Sequence, residues 1–222
     1  MEALNNPKTL VDQAYTALLD AICDGTLSPG QRLTEADIAD RLKVSRQPIH
    51  HALLLLKTQG FLCVTGRRGL AVTPIDQNFF SSLYEFRSAV EPLAVRLACA
   101  RLTADDIKTA RDLLADGEAA TRRKDIRRMI EADMNFHTFL YELSGNTLII
   151  NAMRLNWQHL RRAMGTVLRH RTISTRVWNE HASIIDALSN RRVGVASSRM
   201  EAHIVRAHSD VTRALDDTDP ER

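Results

Sequence analysis

Apolar positions along this 222-residue chain recur at helical spacing in most segments and run together in a few short ones, two of which have strand character. The first periodic stretch runs from Val11 to Cys23, and Gly25 ends it. Pro29-Gly30 marks a turn. Thr34 with Asp37 three residues later forms a capping box that opens a short helix through Leu42. Lys43-Val44 is a tight link to Ser45, the N-cap of the next helix, whose buried face is Ile49, Ala52, Leu53 and Leu56. Pro48 is tolerated in its first turn, where the amide groups have no helical partners, and Gly60 supplies the stop. Phe61–Thr65 and Leu70–Thr73 have strand character and are joined by Gly66-Arg67-Arg68-Gly69. Two helices across so short a turn, followed by a hairpin, predict a winged helix-turn-helix. Ser45, Arg46, Gln47 and His50 sit at the exposed start of the second helix, where base edges in a DNA groove are reached. Arg67 and Arg68 at the wing tip suit phosphates or a narrow minor groove.

Pro74 ends this first pattern, and the expected boundary divides a DNA-binding domain (residues 1–75) from an all-helical domain (76–222). The second half predicts about six helices: Gln77–Arg101, a segment capped by Thr103-Ala104-Asp105-Asp106 and running to Arg123, Ile126–Leu143, Leu148–His170, Ser174–Leu188 and Val193–Leu215. Short connections make them an antiparallel bundle, so the chain as a whole is mostly α.

Net charge is only +3, but its distribution is uneven. No Asp or Glu occurs from Arg41 to Ile75, a stretch holding Arg41, Lys43, Arg46, Lys57, Arg67 and Arg68. This is the electrostatic footprint of a phosphate-binding surface. Arg122-Arg123-Lys124 and Arg127-Arg128 read instead as a solvated helix face. Cys23, Cys63 and Cys99 form no paired motif and read as reduced thiols. The first twenty residues show no secretory core, and no apolar run reaches membrane length, which predicts a cytoplasmic protein.

Within the bundle, Asp133 and His137 are four apart and share a helix face, while His181 and His203 lie on the last two helices among apolar residues. Three neutral imidazoles and a carboxylate suit a borderline divalent ion such as Zn²⁺ or Ni²⁺. The spacing alone equally fits hydrogen-bonded core histidines. Glu180 adjoins His181 but is expected to point elsewhere on its helix. Nothing supplies a nucleophile, base and oxyanion set, and there is no HExxH motif or glycine-rich phosphate loop, so no enzyme is expected. His159, His170 and His208 read as surface or satisfied residues, and Trp157 and Trp178 as packing.

Leu27-Ser28-Pro29-Gly30-Gln31-Arg32-Leu33-Thr34-Glu35, Ala39 to Ile49, and Leu56 with Gly60-Phe61 resemble the N-terminal domain of GntR-type bacterial regulators. One departure is His50-His51, where that family usually has Arg-Glu. His50 is shorter, loses the bidentate grip on guanine, and is left to donate one hydrogen bond. Asp133-Met134-Asn135-Phe136-His137, Ser144-Gly145-Asn146, Glu180-His181 with Ile184 and Ala187-Leu188, and Met200 with His203 resemble the FCD effector domain of the FadR branch. The resemblance implies a divalent metal on Asp133, His137, His181 and His203, with open positions for a small carboxylate effector. Phe86-Arg87 with Glu91-Pro92-Leu93-Ala94 resembles the start of that domain. Arg87 either grips the effector carboxylate or pairs with Glu91 one turn on.

The expectation is a ligand-responsive transcription regulator, most simply a repressor. It would bind double-stranded operator DNA as a homodimer, because two recognition helices on one duplex need a symmetric pair. The alternative is a constitutive DNA-binding dimer without metal or effector.

Overall fold

The computed structural model describes residues 9–66, 69–170 and 175–216. It divides into two compact units, Met1–Ile75 and Asp76–Arg222.

The first unit contains α1 (Leu10–Cys23), β1 (Arg32–Leu33), α2 (Glu35–Leu42), α3 (Arg46–Thr58), β2 (Leu62–Thr65) and β3 (Gly69–Val72). Thr9 and Asp12 close a reciprocal capping box on α1. At α2 only half of the expected box forms: the Thr34 hydroxyl accepts from the Asp37 amide at 3.2 Å. Lys43 ends α2 in the left-handed region (φ 55°), and the Val44 amide reaches back to the Ala39 carbonyl at 3.1 Å. That hydrogen bond turns the chain within three residues into α3. Ser45 occupies the N-cap position of α3, but its side chain makes no capping bond, contrary to the expected cap.

Leu18 and Ile22 from α1, Ile49, Ala52, Leu53 and Leu56 from α3, and Phe61 and Val72 make one core. The sheet is antiparallel in the order β1-β3-β2. β2 and β3 are the expected hairpin, with Leu62 opposite Val72 and Thr65 opposite Gly69. β1 pairs Arg32 with Ala71 and Leu33 with Leu70. It was not expected, because two residues are too few to carry an alternating pattern.

The second unit is a bundle of α4 (Gln77–Arg101), α5 (Ala104–Arg123), α6 (Ile126–Ser144), α7 (Thr147–His170), α8 (Arg176–Ser189) and α9 (Val193–Asp216). These follow the expected segments closely; Ser174, the expected start of the fifth, lies outside the described residues. α4 packs on α6 and α9, α5 on α6 and α8, and α8 on α9. Phe136, Leu140, Met153, Trp157, Leu160, Ile184, Leu188 and Met200 are fully buried between them.

Gly117 lets α5 meet α8. A Cβ there would lie 2.1 Å from the ring of Trp178, itself pinned by its Nε1–H donating to Thr121 Oγ1 at 2.8 Å. Gly117→Ala gains about 1 kcal/mol of helix propensity but forces a buried ring aside at roughly 1–3 kcal/mol. The expected result is a lower thermal midpoint for the helical unit. A raised midpoint would show that the two helices part freely.

Candidate functional site

Of the basic residues expected to face DNA, α3 carries Arg46 and Lys57, and α2 with its C-cap carries Arg41 and Lys43. Ser45, Arg46, Gln47 and His50 are all exposed. His50 Nδ1 lies 2.7 Å from Glu35 Oε1 on α2, so this side chain already has one partner. Arg67 and Arg68 lie outside the described residues.

In the bundle, α6, α8 and α9 bring His137, His181 and His203 together, with one ligand nitrogen from each lying within 4.8 Å of the others. All three rings are buried. His181 Nε2 and His203 Nε2 are 3.2 Å apart. Asp133 stands at the edge, with Oδ1 3.6 Å from His181 Nε2.

Two carboxylates orient two of the rings. Glu91 on α4 accepts from His137 Nδ1 at 2.6 Å and from Arg87 Nε at 2.5 Å. Glu180 accepts from His203 Nδ1 at 2.8 Å and from Arg206 Nε at 2.7 Å. Glu180 therefore does not point away from the cluster as expected. It reaches from α8 to the imidazole on α9, because the two helices pack side by side. Burial pushes the Glu91 carboxyl up, but Arg87 and His137 overcome this and hold it well below the usual carboxylate range. Burial also raises Glu180, and there the hydrogen bond from His203 wins, with Arg206 adding to it.

Each ionised carboxylate can only accept, so the contacting Nδ1 carries a proton, and in a neutral ring Nε2 then keeps its lone pair. Among the described residues, His137 Nε2 is buried with no hydrogen-bond partner. Burial holds His181 well below the ordinary imidazole range, and the neighbouring His203 and His137 add to this, so its ring is neutral. Burial likewise lowers His203, against the opposing pull of Glu180. Among the described residues no carboxylate bonds His181 Nδ1, which is buried without a partner. Packing fixes it instead, with Phe136 stacked at 3.9 Å and the edge of Trp178 at 5.1 Å.

The donor set fits a divalent cation. Two imidazole nitrogens on one such ion, each about 2.1 Å from it, stand roughly 3–3.4 Å apart, and the His181–His203 separation is 3.2 Å. Carboxylate-held imidazoles are the usual outer support of a metal ligand. An unpartnered buried acceptor such as His137 Nε2 is costly without something to bind.

Arg87 is only 3% exposed, and its guanidinium lies over the rings of Tyr84 and Trp157 at 5.0 and 5.2 Å. Of its two expected roles, the pairing with Glu91 is present. The pair is fully buried, so its weight is far above that of a surface helix pair. Trp157 and Trp178 pack as expected, the former donating from Nε1 to the Tyr141 hydroxyl at 3.1 Å. His159 is buried against Phe79, and His208 stacks on Tyr84.

Sequence reasoning missed Glu91 and Glu180 as partners of the histidines. A signal for Glu91 existed. It falls in the stripe Leu83, Tyr84, Arg87, Glu91, Ala94, Val95, Ala98, where two charged residues interrupt an otherwise apolar helix face.

Comparison with known proteins agrees with this architecture. Residues 10–72 match the bacterial regulatory proteins of the gntR family, and residues 82–206 match the FCD domain. The Nta operon transcriptional regulator of Aminobacter aminovorans is 33% identical over 79% of this chain and 82% of its own. The HTH-type transcriptional repressor RspR of Escherichia coli K12 is 26% identical over 90% of this chain and 88% of its own. Among solved structures, a transcriptional regulator of the GntR type from Rhodococcus sp. RHA1 superposes with a TM-score of 0.78 at 25% identity, covering 90% of this chain and 96% of that one. E. coli McbR/YncC shares the fold, with a TM-score of 0.81 at 19% identity over 93% and 99% of the two chains.

Proposed function

Since the chain belongs to the gntR family of bacterial regulatory proteins and carries an FCD domain, we propose that its DNA binding is set by a small carboxylate bound at a divalent metal in the bundle. That it is a DNA-binding transcription regulator and not an enzyme follows from the family. In the proposed reading, His137, His181, His203 and Asp133 hold the metal, with Zn²⁺ or Ni²⁺ best suited to the nitrogen-rich set. When bound, the cation supplies a Lewis-acidic position that a carboxylate can share with water. The observation that supports this best is the convergence of three histidine nitrogens, two of them backed by Glu91 and Glu180.

The chain's own residues prepare the site. Glu91 and Glu180 fix protons on Nδ1, leaving lone pairs at His137 Nε2 and His203 Nε2. Without the cation, the short His181–His203 contact needs a shared proton, donated from His181 Nε2 to His203 Nε2. To hold the cation through Nε2, His181 would have to be in the tautomer that carries its proton on Nδ1. Arg87 keeps Glu91 ionised and in place.

The effector acts by binding one state of the bundle better than another, and its differential affinity sets the size of the response. Reading the DNA would fall to Ser45, Arg46, Gln47 and His50 on α3, with Arg67 and Arg68 at the wing. The protein would work as a homodimer on paired half-sites. Repression is the mode we favour, in keeping with the repressor RspR among its relatives. Among the described residues no helix is long and apolar enough to cross a membrane.

The test is elemental analysis of purified protein, followed by a thermal-shift screen of small mono-, di- and hydroxycarboxylates on metal-loaded and chelator-stripped samples. About one divalent ion per chain is expected, lost in His181→Ala, with carboxylate shifts confined to the loaded protein. Full metal content in His181→Ala would show that the ligands are wrong. No metal and no carboxylate shift would establish the constitutive DNA-binding dimer instead.

A further inference from the structure

His50 stands on the exposed face of α3, one turn after Arg46, and Glu35 opens α2 beside it. The imidazole is 58% exposed and the carboxylate 44%, so the pair lies on the surface and more than half of the imidazole faces solvent. The contact is directional. His50 Nδ1 is 2.7 Å from Glu35 Oε1, and an ionised carboxylate can only accept. The hydrogen therefore sits on Nδ1. A neutral imidazole has one N–H, so Nε2 is left with a bare lone pair.

We propose that His50, held in this tautomer by Glu35, acts toward DNA as a hydrogen-bond acceptor and selects an exocyclic amine, adenine N6 or cytosine N4, in the major groove. This reverses the sequence-based expectation that His50 contributes a donor. The code of the groove makes the difference decisive. At the corresponding positions guanine presents only acceptors, O6 and N7, and thymine presents O4 and a methyl group. A donor at residue 50 favours guanine or thymine, whereas an acceptor rejects both and favours adenine or cytosine on the contacted strand. Glu35 is then a positioning residue that acts through the ring and touches no base. The inference rests on α3 being the element that reads DNA.

Selection of bound duplexes from a random library tests it, using the full chain at about pH 8, above the ordinary imidazole range. The wild type is expected to enrich adenine or cytosine about fivefold at one position of each half-site, the worth of a single net hydrogen bond. His50→Ala should make that position indifferent and leave the rest of the motif intact. Glu35→Ala frees the tautomer, so guanine or thymine should enter at the same position, and His50→Arg should make guanine dominant there. An amine preference that survives His50→Ala overturns the inference. So does its loss in Glu35→Ala but not in His50→Ala, since Glu35 would then accept from cytosine N4 itself. Arg46→Ala in the same selection separates the two levels. A motif that changes with Arg46→Ala but not with His50→Ala overturns the role of His50 alone. A motif unchanged by both overturns α3 as the reading helix.

Discussion

Replacing Glu91 with alanine is expected to lower the stability of the helical unit by about 3–5 kcal/mol, the cost of removing one partner from a buried ion pair. The residue is 0% exposed and accepts from both Arg87 and His137, so its loss orphans two groups at once. Arg87 cannot recover by turning to water, because it is 3% exposed and covered by Tyr84 and Trp157. Nor can it shed its proton, since a guanidinium stays charged under any condition the fold survives. For a domain of this size the loss corresponds to a fall of roughly 6–20 °C in thermal midpoint. Metal content should fall as well, because nothing would hold the His137 proton at Nδ1. Glu91→Gln distinguishes the two effects. Its amide oxygen can still accept from His137, so metal retention should partly recover while the buried Arg87 charge still weakens the fold. A fall of less than about 1 kcal/mol in Glu91→Ala would show that water enters the bundle and relieves Arg87.

Removing the proposed metal is expected to have the second largest effect. A ligand that binds only the folded state stabilises it by about 2.7 kcal/mol at a hundredfold excess over Kd, and by roughly 4 kcal/mol at a thousandfold excess. Treatment of the loaded protein with a strong chelator should lower the unfolding transition of residues 76–222 accordingly. The helix-turn-helix unit has a core of its own and no part of the histidine cluster, so its transition should stay where it was. Calorimetry resolves the two. An equal drop in both transitions would mean that they unfold as one, and no drop in either would mean that the histidines gain nothing from the ion.

The fold was legible because its helices are long and regularly patterned. α4, α5 and α9 begin where the apolar spacing and caps predict, and α6 and α7 lie within a residue of expectation. β1 was not legible, since Arg32 and Leu33 become a strand only by pairing with β3, a tertiary event. The site divides in the same way. Asp133 and His137 are neighbours on one helix, and any helical reading brings them together. Glu91 lies 46 residues before His137 and touches it only because α4 packs on α6. Glu180 appeared misdirected because adjacency in sequence was weighed against a single helix, whereas its partner His203 is on the next one. The hydroxyl of Ser45 is the converse case. A residue type well suited to capping holds the position and leaves the bond unmade.

The chain has only two tryptophans, and each lies against a different histidine of the cluster, Trp157 5.1 Å from His137 and Trp178 5.1 Å from His181. The intrinsic fluorescence of the protein is therefore a property of this one locality, with no distant indole to dilute it. An ion with unpaired d electrons, such as Ni²⁺, would darken both emitters at close range, whereas filled-shell Zn²⁺ would leave them bright. The molecule would carry its own optical probe of the proposed cation, and would need no label to report it.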